Sequence, residues 1–271
     1  MVVARTRRLT LLAFLLCSLF GCASAGGPSR PENDPDPWKK MNRGIFAFNE
    51  RVDDWVLEPV ARAWNFVLPR PVIRGIANFS DNLWMPAVFG NHILQAHPKA
   101  AFLEDLPRLV LNSTVGIAGL LDPASKLGLG KNYTDFGITM GRWGAPPGPY
   151  FVIPFLGASS VRGVVGRVAD GFSTPFTYFV PWYGFVVIRT IELMNLRALY
   201  LEDLAHARAD AFDFYVFVRD AWTQNRRHYV RKARGESTVE AFEDDLYEFE
   251  DEIYEDDAGA DDEPRAGADE P

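Results

Sequence analysis

Cysteine is almost missing from this 271-residue chain, and its two cysteines, Cys17 and Cys22, both lie at the extreme N-terminus. The 249 residues after Cys22 can hold no disulfide, no thiolate metal cluster and no cysteine nucleophile. Histidine is nearly as scarce: His92, His97, His206 and His228 are the four, and no two stand four residues apart. They are expected in polar surface or capping roles, with no metal site. The apolar run from Leu9 to Phe20 is about twelve residues long, short of the about twenty needed to cross a bilayer. Catalytic motifs are incomplete. Asp135-Phe136-Gly137 matches the kinase magnesium triplet but lacks a Gly-rich loop, strand lysine and catalytic loop; Gly157-Ala-Ser-Ser-Val161 is one glycine short of a nucleophile elbow. No phosphate-cradling loop is present, the three Asn-X-Ser/Thr triplets carry no enzymatic meaning, and no catalytic residue and no cofactor are assigned.

What is present divides the chain by charge. Residues 236–271 hold seventeen acidic residues against Arg265 alone, whereas residues 1–235 are net positive, so the overall charge of −8 conceals a basic body and an acidic tail. Arg5, Arg7 and Arg8 before the short apolar run read as a secretory signal. Leu19-Phe20-Gly21-Cys22 resembles a bacterial lipobox, with Phe20 bulkier than usual, so residues 1–21 are expected to be cut off and Cys22 to be the lipid anchor. Stable anchoring takes two or more acyl chains. Ala23 after the cysteine favours delivery to the outer membrane. Secretion and the acidic tail count against nucleic acid as a partner.

Residues 22–37, rich in Gly, Pro and Asp, read as a flexible tether. From Met41 the spacing Met41, Ile45, Phe48, Val52, Trp55 predicts a helix. Pro71 opens a second helix through Val72, Ile73, Ile76, Phe79 and Leu83, and Pro98 a third through Phe102, Leu106, Leu109 and Val110. Residues 116–130 read as loop, and Gly137–Gly157 accommodates no regular helix easily. Long helical patterns return at about 183–204 and 208–233; in the second, Phe212, Tyr215, Val218, Trp222 and Tyr229 share a face. The fold expected is all-α: a helical body, 38–235, with helices broken by Pro and Gly, and a largely disordered tail over 236–271. Seven tryptophans and the nearly uncharged stretch Gly171–Val187 suit an interface with one apolar and one wet side. That stretch reads either as a core hairpin between helices or as a segment immersed among lipid headgroups; its apolar content and the tether favour immersion.

Asp36-Pro-Trp-Lys-Lys-Met-Asn-Arg-Gly-Ile-Phe-Ala-Phe-Asn49 resembles the opening signature of the MlaA/VacJ family of outer-membrane lipoproteins. The resemblance continues through Pro59-Val-Ala-Arg-Ala-Trp64, Asn78-Phe-Ser-Asp-Asn-Leu83, Asn112-Ser-Thr-Val-Gly-Ile-Ala-Gly-Leu-Leu-Asp122 and Asp135-Phe-Gly-Ile-Thr-Met-Gly-Arg-Trp-Gly144. Gly148-Pro-Tyr150, Asp170-Gly171 and the Glu192/Arg197 pair follow in order, so it covers roughly residues 34–230. It implies a single ring-like helical domain on the inner-leaflet side of the outer membrane, facing the periplasm. It also implies a non-enzymatic role in lipid asymmetry: misplaced outer-leaflet phospholipids leave through an amphipathic pore. The partners it implies are phospholipids, a trimeric porin, and a soluble periplasmic lipid carrier feeding an inner-membrane ABC transporter. With that role admitted, Gly141, Gly144 and Gly148 among prolines are the candidate pore hinge. Arg142, Arg162 and Arg167 are candidate phosphate contacts, since guanidinium meets phosphate bidentately. A structural lipoprotein that binds a porin without moving lipid is the alternative, and an interfacial phospholipid hydrolase would need a nucleophile and base that do not stand out.

Overall fold

The structure, a computed structural model, describes residues 36–236. The chain divides into two units, Met1–Pro37 and Trp38–Pro271. Only Asp36 and Pro37 of the first are described, and every described helix and strand belongs to the second. The expected signal peptide, the Cys22 anchor, most of the tether, and the acidic tail beyond Glu236 lie outside the described residues.

Helix α1 (Lys39–Val52) passes through a π-turn at Asp53–Leu57 into α2 (Glu58–Val67). α3 (Arg70–Leu94) carries Pro71 in its first turn, where a missing N–H costs nothing, and Pro86 in its interior. α4 (Pro98–Ala100) starts on the expected Pro98 and runs through a second π-turn, Ala101–Asp105, into α5 (Leu106–Thr114). The single turn α6 (Pro123–Lys126) and α7 (Phe136–Arg142) follow. Next come two short antiparallel strands, β1 (Tyr150–Ile153) and β2 (Gly157–Ser160), with Tyr150 opposite Ser160 and Ile153 opposite Gly157. α8 (Val161–Ser173), α9 (Phe176–Phe179), α10 (Trp182–Leu199), α11 (Leu201–Asp210) and α12 (Phe214–Arg234) complete the described chain, and α12 ends at Gly235 with φ of 82°. The body is helical as expected, with one hairpin added.

The reading that no regular helix fits Gly137–Gly157 easily is corrected. Asp135 caps α7 by accepting the Ile138 N–H at 2.8 Å, and that bond starts a helix despite Gly137 and Gly141. The 183–204 pattern is also two helices, α10 and α11, joined at Tyr200.

The helical periods are where the sequence puts them, but the buried faces are not. Along α1 and its π-turn, Met41, Phe48 and Trp55 are 50%, 42% and 79% exposed, while Asn42 and Asp53 are buried. Along the second π-turn and α5, Phe102, Leu106 and Val110 face outward. The buried positions there are Ala101, Asp105, Arg108 and Asn112, spaced four, three and four. Among the described residues thirteen apolar residues are buried, six of them alanine, and the buried polar and charged residues outnumber them. Soluble domains bury the opposite set. The compact apolar clusters are small: Ile138, Val230 and Ala233 where α7 meets α12, and Tyr150, Val152 and Tyr215 where β1 meets α12.

Buried polar groups persist only when hydrogen-bonded, and Arg108 illustrates how. Its guanidinium grips both carboxylate oxygens of Asp122 at 3.1 Å and reaches Ser125 Oγ and the Leu129 carbonyl. Asp122 also caps α6, accepting from Ser125 N and Ser125 Oγ, and takes a further bond from Asn112. Burial raises the Asp122 pKa, but the bonds from Ser125, Asn112 and Arg108 outweigh it and bring the value from 3.8 to about 2. A depressed folded-state pKa contributes stability above the unfolded value, and that stability is lost as pH falls through the folded one. The melting temperature is therefore expected to fall between about pH 4 and about pH 2, and less steeply in Asp122→Asn. Melting curves across that range test this; identical slopes in the two proteins would overturn it.

Candidate functional site

A polar seam runs between α3, α7 and α8. Asn91, His92 and Gln95 lie at the C-terminal end of α3, all buried. Gln95 Nε2 donates to Thr134 Oγ1 at 2.6 Å and Thr139 Oγ1 at 2.8 Å, and Thr139 Oγ1 donates to Asn91 Oδ1 at 2.8 Å. Asn91 Nδ2 donates to Asp170 Oδ1 at 2.7 Å, and Asp170 also accepts the Phe136 N–H at the start of α7. Burial pushes the Asp170 carboxyl up, against the pull of those two donors. Beside it, Arg226 of α12 holds both oxygens of Asp135, at 2.5 and 3.0 Å. Burial alone would raise Asp135, but the Arg226 bond and charge bring it below its usual value. Tyr133 packs on the Tyr229 ring at 4.8 Å and donates to Asp135 at 3.0 Å. Asp135 is thus a helix cap and ion-pair partner, with nothing of the kinase triplet's chemistry.

His92 is corrected from a surface or capping role. It is buried against Asp105, Nδ1 to Oδ2 at 2.5 Å. The π-turn before α5 places Asp105 there, as the first π-turn places Asp53; each bulge turns one carboxylate inward. His206 and His228 are exposed. Ser160, of the incomplete nucleophile elbow, caps α8 by accepting the Gly163 N–H at 3.1 Å.

The candidate hinge and phosphate residues separate. Gly144 and Gly148 take φ of 93° and 69°, which favours glycine. Gly141 does not belong with them: it is buried within α7, where a Cβ would come within 2.7 Å of Val230 Cγ2. It is a packing position against α12. Arg162 is buried, its Nη1 donating to the Ala145 carbonyl at 2.7 Å and its main-chain N–H to the Pro147 carbonyl at 3.2 Å. Burial, with Arg226 and Arg234 nearby, lowers its pKa. Arg162 therefore clamps the loop between α7 and β1. Arg142 donates to the Ala233 carbonyl and ties α7 to α12. Arg167 is exposed, with one bond to the Ala158 carbonyl at 3.2 Å.

The hairpin itself is held by asparagines two turns apart on α1. Asn42 donates to the Tyr150 carbonyl at 3.2 Å and accepts the Val152 N–H at 3.0 Å. Asn49 donates to the Ile153 carbonyl at 3.0 Å and accepts the Phe155 N–H at 2.8 Å. Two side-chain amides thus pair the outer edge of β1 as a third strand would. Sequence reading missed them, although their spacing of seven, along one flank of the apolar stripe, was the available signal. Asn42→Ala removes one donor and one acceptor from the buried edge of β1, at a cost of about 1–3 kcal/mol. Amide exchange is expected to quicken in residues 150–160 and to stay unchanged elsewhere; unaltered exchange there would show the clamp to be idle.

Outside the polar interior the surface is apolar. Phe172, Tyr178, Phe179, Trp182 and Tyr183 are 61–87% exposed. The core-hairpin reading of Gly171–Val187 is therefore corrected: the stretch is the end of α8, α9 and the start of α10, with these five side chains outward while Phe176 and Phe185 pack on Trp84. Further exposed apolar groups are Phe66 and Val67 ending α2, Leu103 in the second π-turn, and Phe155 and Leu156 at the hairpin tip. Among the described residues no helix is long and apolar enough to cross a membrane.

Comparison with known proteins places this arrangement. The family model described as MlaA lipoprotein matches residues 34–229. The intermembrane phospholipid transport system lipoprotein MlaA of Escherichia coli (strain K12) is 33% identical over 247 residues, spanning 88% of this chain and 96% of that relative. The protein of the same description in Haemophilus influenzae is 32% identical over 245 residues, with the same coverage. A solved structure, from work on the structural basis for maintenance of bacterial outer membrane lipid asymmetry, is 31% identical with a TM-score of 0.66. It covers 72% of this chain and 98% of its own.

Proposed function

The chain belongs to the MlaA lipoprotein family, and from that premise we propose that it removes misplaced phospholipids from the outer leaflet of the outer membrane. The lipids leave through an amphipathic passage in the helical body and reach a soluble periplasmic carrier, which feeds an inner-membrane ABC transporter. A trimeric porin is the membrane partner. The protein moves lipid and converts none. Residues 1–21 direct export, acylated Cys22 anchors the mature chain, 22–37 tether it, and the body, 38–235, sits on the inner-leaflet side. The tail, 236–271, carries too much negative charge to rest on anionic lipid and points into the periplasm.

The observation that supports this reading is the inversion of the helices: apolar side chains outward, hydrogen-bonded polar side chains inward, and no described helix able to span. Such a body can lie within one leaflet, because lipid covers the outside while most interior polar groups find partners within the body. A phospholipid needs both environments in reach, wet for the head and apolar for the tails. The loop between α7 and β1, clamped by Arg162 and turned at Gly144 and Gly148, is the proposed hinge of the passage. Exposed Arg167 remains the phosphate contact of the three arginines, while Arg142 and Arg162 hold the frame.

Labelling of surface phospholipid in a strain lacking the gene tests the proposal. Labelling is expected to rise, and to return to normal when the intact gene is restored. Unchanged labelling would overturn lipid removal and leave an envelope scaffold.

A further inference from the structure

An apolar groove of about 340 Å³ opens between α3, the turn after α5 and the start of α9; Phe79, Asn82, Leu83, Pro86, Ser113 and Phe176 are among its walls. That volume lies at the small end of ligand clefts, about 300–1,000 Å³. It suits a single chain of methylenes rather than two.

Two polar side-chain atoms of α3, one in the groove wall and one on a residue packed against that wall, lack partners. Asn82 Oδ1 is buried and accepts no hydrogen bond among the described residues, although Asn82 Nδ2 donates to Ser113 Oγ at 3.0 Å. Pro86, one turn on, has no N–H to give the Asn82 carbonyl. Two residues along α3 from Asn82, Trp84 Nε1 is buried and donates to nothing among the described residues. The Trp84 ring meets Phe176, a groove wall, edge-on at 5.2 Å, and Phe185 at 6.4 Å. Arg189 lies flat over Trp84 with Cζ 3.7 Å from the ring centroid, and its other partner, Glu192, is a partly exposed contact at 2.8 Å. One open apolar slot thus carries an unmet acceptor at one rim. Against its Phe176 wall packs Trp84, with an unmet donor and a half-exposed guanidinium stacked over its ring.

We propose that this groove holds one acyl chain of a membrane phospholipid whose phosphate Arg189 engages. The proposal rests on the lipid-removal reading and gives it a resting place for the lipid outside the polar seam. Stacking leaves the in-plane donors unblocked; Nη1 goes to Glu192, and the others can meet a phosphate while Arg189 still lies over Trp84. The ester carbonyl is the acceptor Trp84 Nε1 lacks, and a headgroup hydroxyl or ammonium is the donor Asn82 Oδ1 lacks. Leaving either orphan unmet costs free energy that a phospholipid recovers and a plain hydrocarbon does not.

The test uses the full-length protein in detergent with phosphatidylglycerol carrying a photoreactive diazirine at the end of one acyl chain, at one lipid per protein, with adducts mapped by mass spectrometry. Adducts are expected on Phe79, Leu83, Pro86 or Phe176. Leu83→Trp fills the groove and is expected to cut them about tenfold, a change equivalent to about 1.4 kcal/mol. Adducts at Phe179, which any lipid can touch, should not change. Arg189→Gln, which leaves the groove's volume alone, should also weaken groove labelling, and Arg189→Lys should restore part of it. Adducts confined to outward residues such as Phe179 and Trp182, or groove adducts indifferent to both Leu83→Trp and Arg189→Gln, would overturn the proposal. Surface labelling in cells reads the other question. Lipid removal without groove adducts sinks the groove alone, and groove adducts without lipid removal sink the transport reading alone.

Discussion

Gly166→Ala is expected to destabilise the body by about 3 kcal/mol or more, the upper range for overpacking a tight contact. α8 crosses α7 through glycine on glycine. A Cβ on Gly166 would lie 2.4 Å from the Gly137 nitrogen, 2.7 Å from the Gly137 Cα and 3.3 Å from the Phe136 carbonyl carbon. All three are backbone atoms, so no rotamer change relieves the clash and the helices must part. Parting them pulls Asp170 from the Phe136 N–H and disturbs the Asp135–Arg226 pair that seats α7 on α12. For a body of this size each kcal/mol shifts the melting temperature by about 2–4 °C, giving a fall of about 6–12 °C. Gly90→Ala is the control: also inside a helix, it has nothing within 4 Å of its added methyl. Losing a glycine there is expected to stabilise by about 0.5–1 kcal/mol. Equal melting temperatures for the two variants would refute the close crossing.

Asp53→Asn is expected to cost about 3–5 kcal/mol, as removal of one partner from a buried ion pair does. The first π-turn delivers this carboxylate to two arginines from far along the chain. Arg197 donates from Nε and Nη2 at 2.8 and 3.0 Å, and Arg208 from Nη2 at 2.8 Å. Glu50, Asp54 and Glu58 complete the cluster around Arg208, and burial raises the Glu50 pKa against that arginine's pull. Three acidic groups here, Asp53, Asp54 and Glu58, stand close enough to share a cation; two guanidinium groups fill that role. Neutralising Asp53 leaves Arg197 buried with only Glu58 beside it. Glu58→Gln, by contrast, also breaks an exposed pair to Arg62, and that pair is worth about 0.5 kcal/mol or less. Chemical denaturation of Asp53→Asn and Arg62→Ala should differ accordingly; losses within about 1 kcal/mol of each other would deny the cluster its structural role.

How much of this was readable in the sequence depends on the length scale. Helix-start prolines and the 3.6-residue period are local, so Pro71, Pro98 and the stripe from Met41 to Trp55 placed their helices correctly. Period alone does not say which face is inside. The Met41 stripe is the apolar face, yet Asn42, Asn49 and Asp53 are the ones turned inward, each onto a hydrogen-bonding partner far along the chain. The π-turns insert a residue without any compositional mark, so the inward swing of Asp53 and Asp105 was not legible. Partnerships across long separations were not legible either: Asn42 meets Val152 across 110 residues, and Arg226 meets Asp135 across 91. Nothing in the sequence marks Arg162 as engaged, because its partners, the carbonyls of Ala145 and Pro147, carry no side-chain signature.

The small apolar interior also has a calorimetric consequence. Heat capacity rises on unfolding because apolar surface becomes hydrated, and newly wetted polar surface lowers it. A body that buries more polar and charged residues than apolar ones exposes an unusual share of the second kind when it comes apart. Its free energy therefore varies gently with temperature, a broad shallow dome rather than a sharp one, and cold weakens it little.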